Sequence, residues 1–206
     1  MATLTISRHF GAGGATLGAR LAKRLGYRYV DDELIKEVAK KAGVAPSRVR
    51  TFEKSGTSKL IKLLDWVVSP DFIERHVSDK DQITEQRYVE EVKEVLHKLH
   101  REGNVVIIGR GGNYALKGYP GTMHVFLVAD VEYRVRFLCE HYDMSKSQAE
   151  SAVMRADMIR TRFLNCFSPE GWHDDPLLYT IILNMNDVSE SRAEEILVGL
   201  ARDMDG

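Results

Sequence analysis

The sequence predicts an α/β fold in which a doubly wound, parallel sheet of five short strands carries helices on both faces, all within 206 residues. Five short apolar runs alternate with stretches whose apolar residues recur at helical spacing. One of these runs, Val105 to Ile108, is apolar throughout, as a central strand covered on both faces must be. A glycine-rich turn, Gly11-Ala12-Gly13-Gly14, follows the first run directly, and ligands of such sheets collect outside the carboxyl ends of the strands.

Taken in order, Ala2 to Ile6 forms the first strand, and Leu17, Leu21, Ala22 and Leu25 then recur at helical spacing until Gly26 stops the helix. Tyr27 to Val30 is the second strand, Asp31 or Asp32 caps a helix striped by Leu34, Ile35, Val38, Ala39 and Ala42, and Gly43 ends it. Broken periodicity between Pro46 and Asp81, with a short apolar stretch from Leu60 to Val67, reads as an inserted helical region. Tyr88, Val92, Val95, Leu96 and Leu99 mark one face of a long helix that Gly103 terminates. Strand three is Val105 to Ile108 and strand four Met123 to Val128. Asp130 starts the next helix, and Ser145 with Gln148 is a capping box for a segment reaching about Phe167. Tyr179 to Leu183 is the last strand, and Ser189 caps a closing helix. The chain shows no internal repeat and no low-complexity linker.

Composition narrows the function classes. Hydrophobic residues at 44% can fill one core, and 29 basic against 30 acidic residues leave a net charge of -1. No global polycation points to nucleic acid, and none is expected as a partner. No apolar run approaches the ~18 residues of a membrane span, and the chain opens on an alternating strand rather than a charged-then-apolar leader. The expected setting is the cytoplasm, with no membrane partner. Cys139 and Cys166 lack metal-ligand spacing and read as reduced thiols. Nothing in the sequence specifies an oligomeric state.

The glycine turn admits three readings. In the phosphate-loop pattern G-x-x-x-x-G-K-[ST], Gly14 stands where the lysine belongs and Ala15 where the hydroxyl belongs, with Thr16 one position later. In the dinucleotide fingerprint G-x-G-x-x-G, Gly11-Ala12-Gly13 fits, Thr16 replaces the last glycine, and Asp31 falls near the ~20-residue offset of a ribose-binding acid. The third reading is a tight strand-to-helix turn without a ligand. Glycines with positive φ and free amides suit an anion in the first two.

Arg110 follows strand three between glycines, at the mouth of the crevice, where its rigid fork can hold a phosphate by two hydrogen bonds or pair with a local carboxylate. Arg155, Arg160 and Arg162 lie in one predicted helix with Asp157, an arrangement that also suits a solvated face of i,i+3 pairs. Trp172-His173-Asp174-Asp175 reads as a solvated turn, and His97 with His100 as exposed helix positions.

The stretches Ile6-Ser7-Arg8-His9-Phe10-Gly11-Ala12-Gly13-Gly14, Tyr29-Val30-Asp31-Asp32-Glu33-Leu34-Ile35, Val106-Ile107-Ile108-Gly109-Arg110, His124-Val125-Phe126 and Asp157-Met158-Ile159-Arg160 together resemble the cytidylate kinase-like family, a divergent branch of the P-loop nucleoside monophosphate kinases. The resemblance spans about Leu4 to Leu200. It implies a single domain with a P-loop NTPase-like, three-layer fold, a helical NMP-binding insertion at about 44–102 and a lid at about 144–176. It implies ATP and Mg²⁺ as cofactors and a nucleoside monophosphate, CMP or dCMP, as substrate.

By position, Gly11, Ala12, Gly13, Gly14, Ala15 and Thr16 would hold the ATP phosphates, and Thr16 is the candidate metal ligand. Arg110 would bind the monophosphate. Arg155 and Arg160 would stabilise the transferring group, and Arg134 and Asp157 resemble residues near the acceptor. Arg8 is the candidate replacement for the missing lysine, while Gly111 stands where an acidic residue is usual, so Asp31 or Asp32, both also expected at the substrate, would substitute for that carboxylate in metal binding. The Tyr-Asp-Leu pattern usual at strand five reads Tyr179-Thr180-Ile181 here. The alternatives to a kinase are a nucleotide-binding regulatory module with little or no transfer activity and, more remotely, an NAD(P)-binding oxidoreductase.

Overall fold

Thr3, Thr5 and Ser7 alternate with Leu4, Ile6 and Arg8 along the first strand, so one edge of the pattern turns to each face of the sheet. The computed structural model describes residues 2–31, 85–165, 167–168 and 173–205. The helix expected after Asp32, the 44–84 part of the insertion, Cys166 and Trp172 lie outside the described residues. The elements are β1 (Thr3–Arg8), α1 (Gly14–Leu25), β2 (Arg28–Val30), α2 (Glu85–Glu102), β3 (Val105–Ile108), α3 (Gly112–Ala115), β4 (Thr122–Val128), α4 (Val131–Tyr142), α5 (Lys146–Asn165), β5 (Ile181–Asn184) and α6 (Glu190–Asp205). A 3₁₀ turn at Pro176–Leu178 precedes β5.

The strand order is β2-β3-β1-β4-β5, with every pairing parallel. β1 is central, with Thr3 opposite both Val105 and Thr122. A dinucleotide-binding sheet sets its second strand beside its first, whereas here β3 separates them. The oxidoreductase reading loses its fold for that reason.

Two cores sandwich the sheet. Leu4, Ile6, Val106, Ile108, Val125 and Leu127 pack under α1 and α6, burying Leu17, Leu21, Leu197 and Ala201. On the opposite face Val105 and Ile107 meet Val92, Val95, Leu96 and Leu99 of α2 with Leu116 beyond α3. The end of the expected insertion is therefore a helix that covers the sheet. A third cluster joins Phe10 to α4 and α5 through Val135, Leu138, Ala149 and Val153.

The stop and cap signals act as their chemistry dictates. Gly26 ends α1 at φ +71°, the Tyr133 amide donates to the Asp130 carboxylate at 2.7 Å, and Ser145 and Gln148 exchange both bonds of the capping box, at 2.9 and 3.3 Å. His97 and His100 are half-buried rather than exposed. His97 Nε2 lies 2.9 Å from the Ala115 carbonyl, and His100 Nδ1 lies within reach of Thr3 and Thr122.

On β4, opposite Thr5 of β1, His124 is buried with Nδ1 2.7 Å from Thr5 Oγ1 and Nε2 3.3 Å from the Leu116 carbonyl. Burial holds His124 and His9 below the ordinary imidazole value. The unfolded chain then takes up those protons at a higher pH than the native one. Stability is fully present above about pH 6.5 and is lost as pH falls through the depressed native values. A thermal melting series from roughly pH 7.5 to 5 should show a falling Tm, and a shallower fall for His124→Asn. Equal slopes for the two proteins would remove His124 as a cause.

Candidate active site

β1 runs two residues past its last apolar position, to Arg8, and the chain then turns sharply. The His9 amide donates to the Leu127 carbonyl at 2.9 Å and the Ala12 amide to the His9 carbonyl at 3.1 Å. Gly11 has φ +86°, and a Cβ there would lie 2.9 Å from the Arg134 carbonyl oxygen, so the loop rests directly on α4. Gly13, at φ +77°, opens α1 with no side-chain cap. Among the described residues no hydrogen bond from the amides of Gly14, Ala15 or Thr16 is found. These donors and the positive end of the helix dipole stand at the start of α1, where Gly14 abuts the stem of Arg8.

A second wall comes from the end of β3. Gly109, Arg110 and Gly111 have φ of +64°, +55° and +69°, three consecutive left-handed residues that turn the chain straight into α3. Holding an arginine there costs about 1 kcal/mol or more. Arg110 is only 9% exposed and lines the cleft together with Ser7, Arg8 and Phe10.

The third wall is α5, which contributes Ala156, Arg160, Phe163 and Leu164. The Arg160 guanidinium stands 5.0 Å over the Phe126 ring and pairs with Asp174 through contacts of 2.6 and 3.3 Å. Tyr179 stacks on the same Phe126 ring, with 4.7 Å between the ring centroids. The Asn113 amide donates to the Tyr179 hydroxyl and Ser7 Oγ donates to Asn113 Oδ1, each at 3.3 Å. Burial raises the Tyr179 pKa, so its hydroxyl stays protonated at neutral pH.

The cleft is electropositive. Burial pulls the Arg8 pKa down to about 9, opposed by the charge of Asp31 and assisted by the positive charges of Arg110 and Arg160. At about 9 the Arg8 guanidinium stays charged at neutral pH, and an anion bound among the three arginines would ease their mutual repulsion.

Of the residues singled out in the sequence, Arg8, Arg110 and Arg160 gather around this cleft beside the glycine loop. Arg155 does not, being exposed on α5 away from the lining. Arg134 and Asp157 meet each other instead, in a two-pronged pair with contacts of 2.8, 3.0 and 3.0 Å. Arg134, its side chain 6% exposed, also donates from Nε to the Asp130 carbonyl at 3.3 Å. This pair ties α4, on which Gly11 rests, to α5.

Asp31 accepts from the Tyr29 hydroxyl at 3.3 Å, and Asp32 lies outside the described residues. Sequence reasoning missed Ser7, Asn113 and Tyr179 and took Asp174 for part of a solvated turn. Their partners lie 106, 66 and 14 positions away, distances at which no local pattern signals a contact.

No group of three or more His, Cys, Asp or Glu side chains poised for a metal occurs among the described residues. A magnesium ion carried by nucleotide phosphates needs only one or two protein oxygens, and the exposed Thr16 hydroxyl in the first turn of α1 suits that limited role. The open amides, the glycine turn and the three arginines fit a polyphosphate.

The model of the cytidylate kinase-like family matches residues 3–187. Among solved structures, an uncharacterized protein from Eubacterium ventriosum is 17% identical, with 98% of this chain and 99% of that one covered and a TM-score of 0.68. Shikimate kinase from Bacteroides thetaiotaomicron is 16% identical over 98% and 97% of the chains, with a TM-score of 0.50. Shikimate kinase from Acinetobacter baumannii, in complex with shikimate, is 14% identical over 98% and 94%, also with a TM-score of 0.50. These likenesses show the fold. No curated protein matches the sequence. No helix among the described residues is long and apolar enough to cross a membrane.

Proposed function

We propose a kinase activity for this chain, which belongs to the cytidylate kinase-like family: transfer of the terminal phosphoryl group of ATP, with Mg²⁺, to a nucleoside monophosphate, CMP or dCMP. The observation that carries it is the convergence of Arg8, Arg110 and Arg160 on one cleft beside a glycine loop with open amides. Phosphoryl transfer asks a protein mainly for positioning and for positive charge around the equatorial oxygens.

In this reading the amides from Gly13 to Thr16 cradle the donor phosphates, and Arg110 holds the acceptor phosphate by its fork. Arg8 supplies the charge that a loop lysine ordinarily brings, and Arg160, steadied by Asp174 and Phe126, meets the group in transit. An oxygen of the acceptor monophosphate forms the new bond to the terminal phosphorus, the bond to the bridging oxygen breaks, and ADP leaves with that electron pair. Bound Mg²⁺ neutralises phosphate charge, with Thr16 as the protein oxygen offered to it. The Arg134–Asp157 pair keeps loop and α5 together without touching substrate.

The absence of a lysine at Gly14, a hydroxyl at Ala15 and an acid at Gly111 favours one second reading, a nucleotide-binding module without efficient transfer. Purified protein with Mg-ATP and a panel of nucleoside monophosphates should give ADP and a diphosphate from at least one of them, CMP or dCMP first. Tight calorimetric binding without turnover would support the module instead, and neither binding nor turnover would sink both.

A further inference from the structure

We propose that Arg8 and Gly14 are a reciprocal exchange within the phosphate loop: the cation has moved from the helix start to the strand end, and Gly14 is glycine to make room for it. In the pattern G-x-x-x-x-G-K, aligned on Gly13, Arg8 occupies the place of the first glycine and Gly14 that of the lysine. The two departures touch. A Cβ on Gly14 would lie 2.9 Å from Arg8 Cγ and 3.1 Å from its Cβ and Cδ, so the arginine stem fills the space where a residue 14 side chain would begin.

The stem is anchored close to the backbone and cannot swing away as a side-chain tip does. Farther out, the guanidinium lies against the next element: a Cβ on Gly109 would overlap Arg8 Nη1, at 2.1 Å. The arginine stem thus accounts for the missing lysine, whereas Gly109 is also required by its own backbone, at φ +64°. Its charge enters from the sheet side, beside Arg110, and not along the axis of α1.

The exchange rests on the phosphate-binding reading of the cleft, and a set of variants separates the two. Arg8→Gly, and Arg8→Met, which keeps much of the stem but removes the charge, should each weaken Mg-ATP binding by about 10- to 100-fold, the worth of a charged hydrogen bond. Gly14→Lys alone should also weaken binding and lower the Tm, because two side chains then compete for one space. Combining Arg8→Gly with Gly14→Lys restores the complete pattern and should recover most of the lost affinity. A double variant no better than Arg8→Gly alone, or Gly14→Lys binding as well as the parent, would overturn the exchange.

Thermal melting without ligand provides a second arm. Gly14→Ala should lower the Tm when Arg8 is present and raise it in the Arg8→Gly background, where alanine is simply the better helix former. The same sign in both backgrounds would overturn the packing relation. If the parent binds no Mg-ATP, the kinase reading fails and takes the charge role of Arg8 with it, while the melting arm still decides whether the two positions are coupled.

Discussion

Arg110→Ala is expected to lower kcat/KM for the acceptor by about 10³-fold, the scale on which removing one preorganised charge-stabilising donor acts in a water-poor site. Arg110 is 9% exposed and lines the cleft with Arg8 and Arg160, so its loss removes a fixed fork rather than a solvated charge. The fold should tolerate the change. Position 110 has φ +55°, and alanine, which also carries a Cβ, bears the same left-handed strain. The Tm should therefore stay within a few degrees of the parent while turnover collapses. Arg110→Lys keeps the charge without the two-pronged geometry and should recover only part of the activity. Steady-state kinetics beside melting curves test this, and activity within threefold of the parent would remove Arg110 from the acceptor site.

Gly18→Leu should destabilise the fold by about 3 kcal/mol or more, the upper end of overpacking a filled core, and lower the Tm by roughly 6–12 °C. Gly18 lies on the buried face of α1, and a Cβ there would stand 2.4 Å from Ile108 Cδ1 and 3.4 Å from Ile6 Cδ1 and Tyr29 Cε2. All three belong to strands or their packing, so α1 can accept the larger side chain only by rising off the sheet. That movement carries the Gly13–Gly14 turn with it, and Mg-ATP affinity should fall together with stability. Urea denaturation and nucleotide binding measure the two effects. An unchanged midpoint would show that α1 is not seated on β3 as described.

The α/β class and the glycine turn between β1 and α1 were legible because apolar runs and glycine clusters are local signals. Arg110 was legible for the same reason, standing directly after an all-apolar strand and between glycines. The strand order was not, since periodicity reveals that strands are buried but not which neighbours they choose. Strand one reads as ending at Ile6, where the apolar alternation stops, yet the ladder continues as Ser7 and Arg8 pair with Phe126 and Leu127. Those two extra residues send Arg8 toward α1 and Ser7 toward Asn113. Arg160 and Arg155 look alike on a helical stripe; only tertiary packing brings Asp174 and Phe126 to the first and leaves the second in solvent.

Making β1 the central strand has a kinetic consequence. β1 pairs with β3 and β4, whose residues 105–108 and 122–127 follow about a hundred positions later. Long-range parallel pairing of this kind closes large loops before it gains contacts, and it slows folding relative to helical or hairpin-rich domains. Leu4 and Ile6 therefore stay without their native neighbours until residues 105–127 have been made, and a chain cut before Thr122 has no β4 to complete the pairing of its centre.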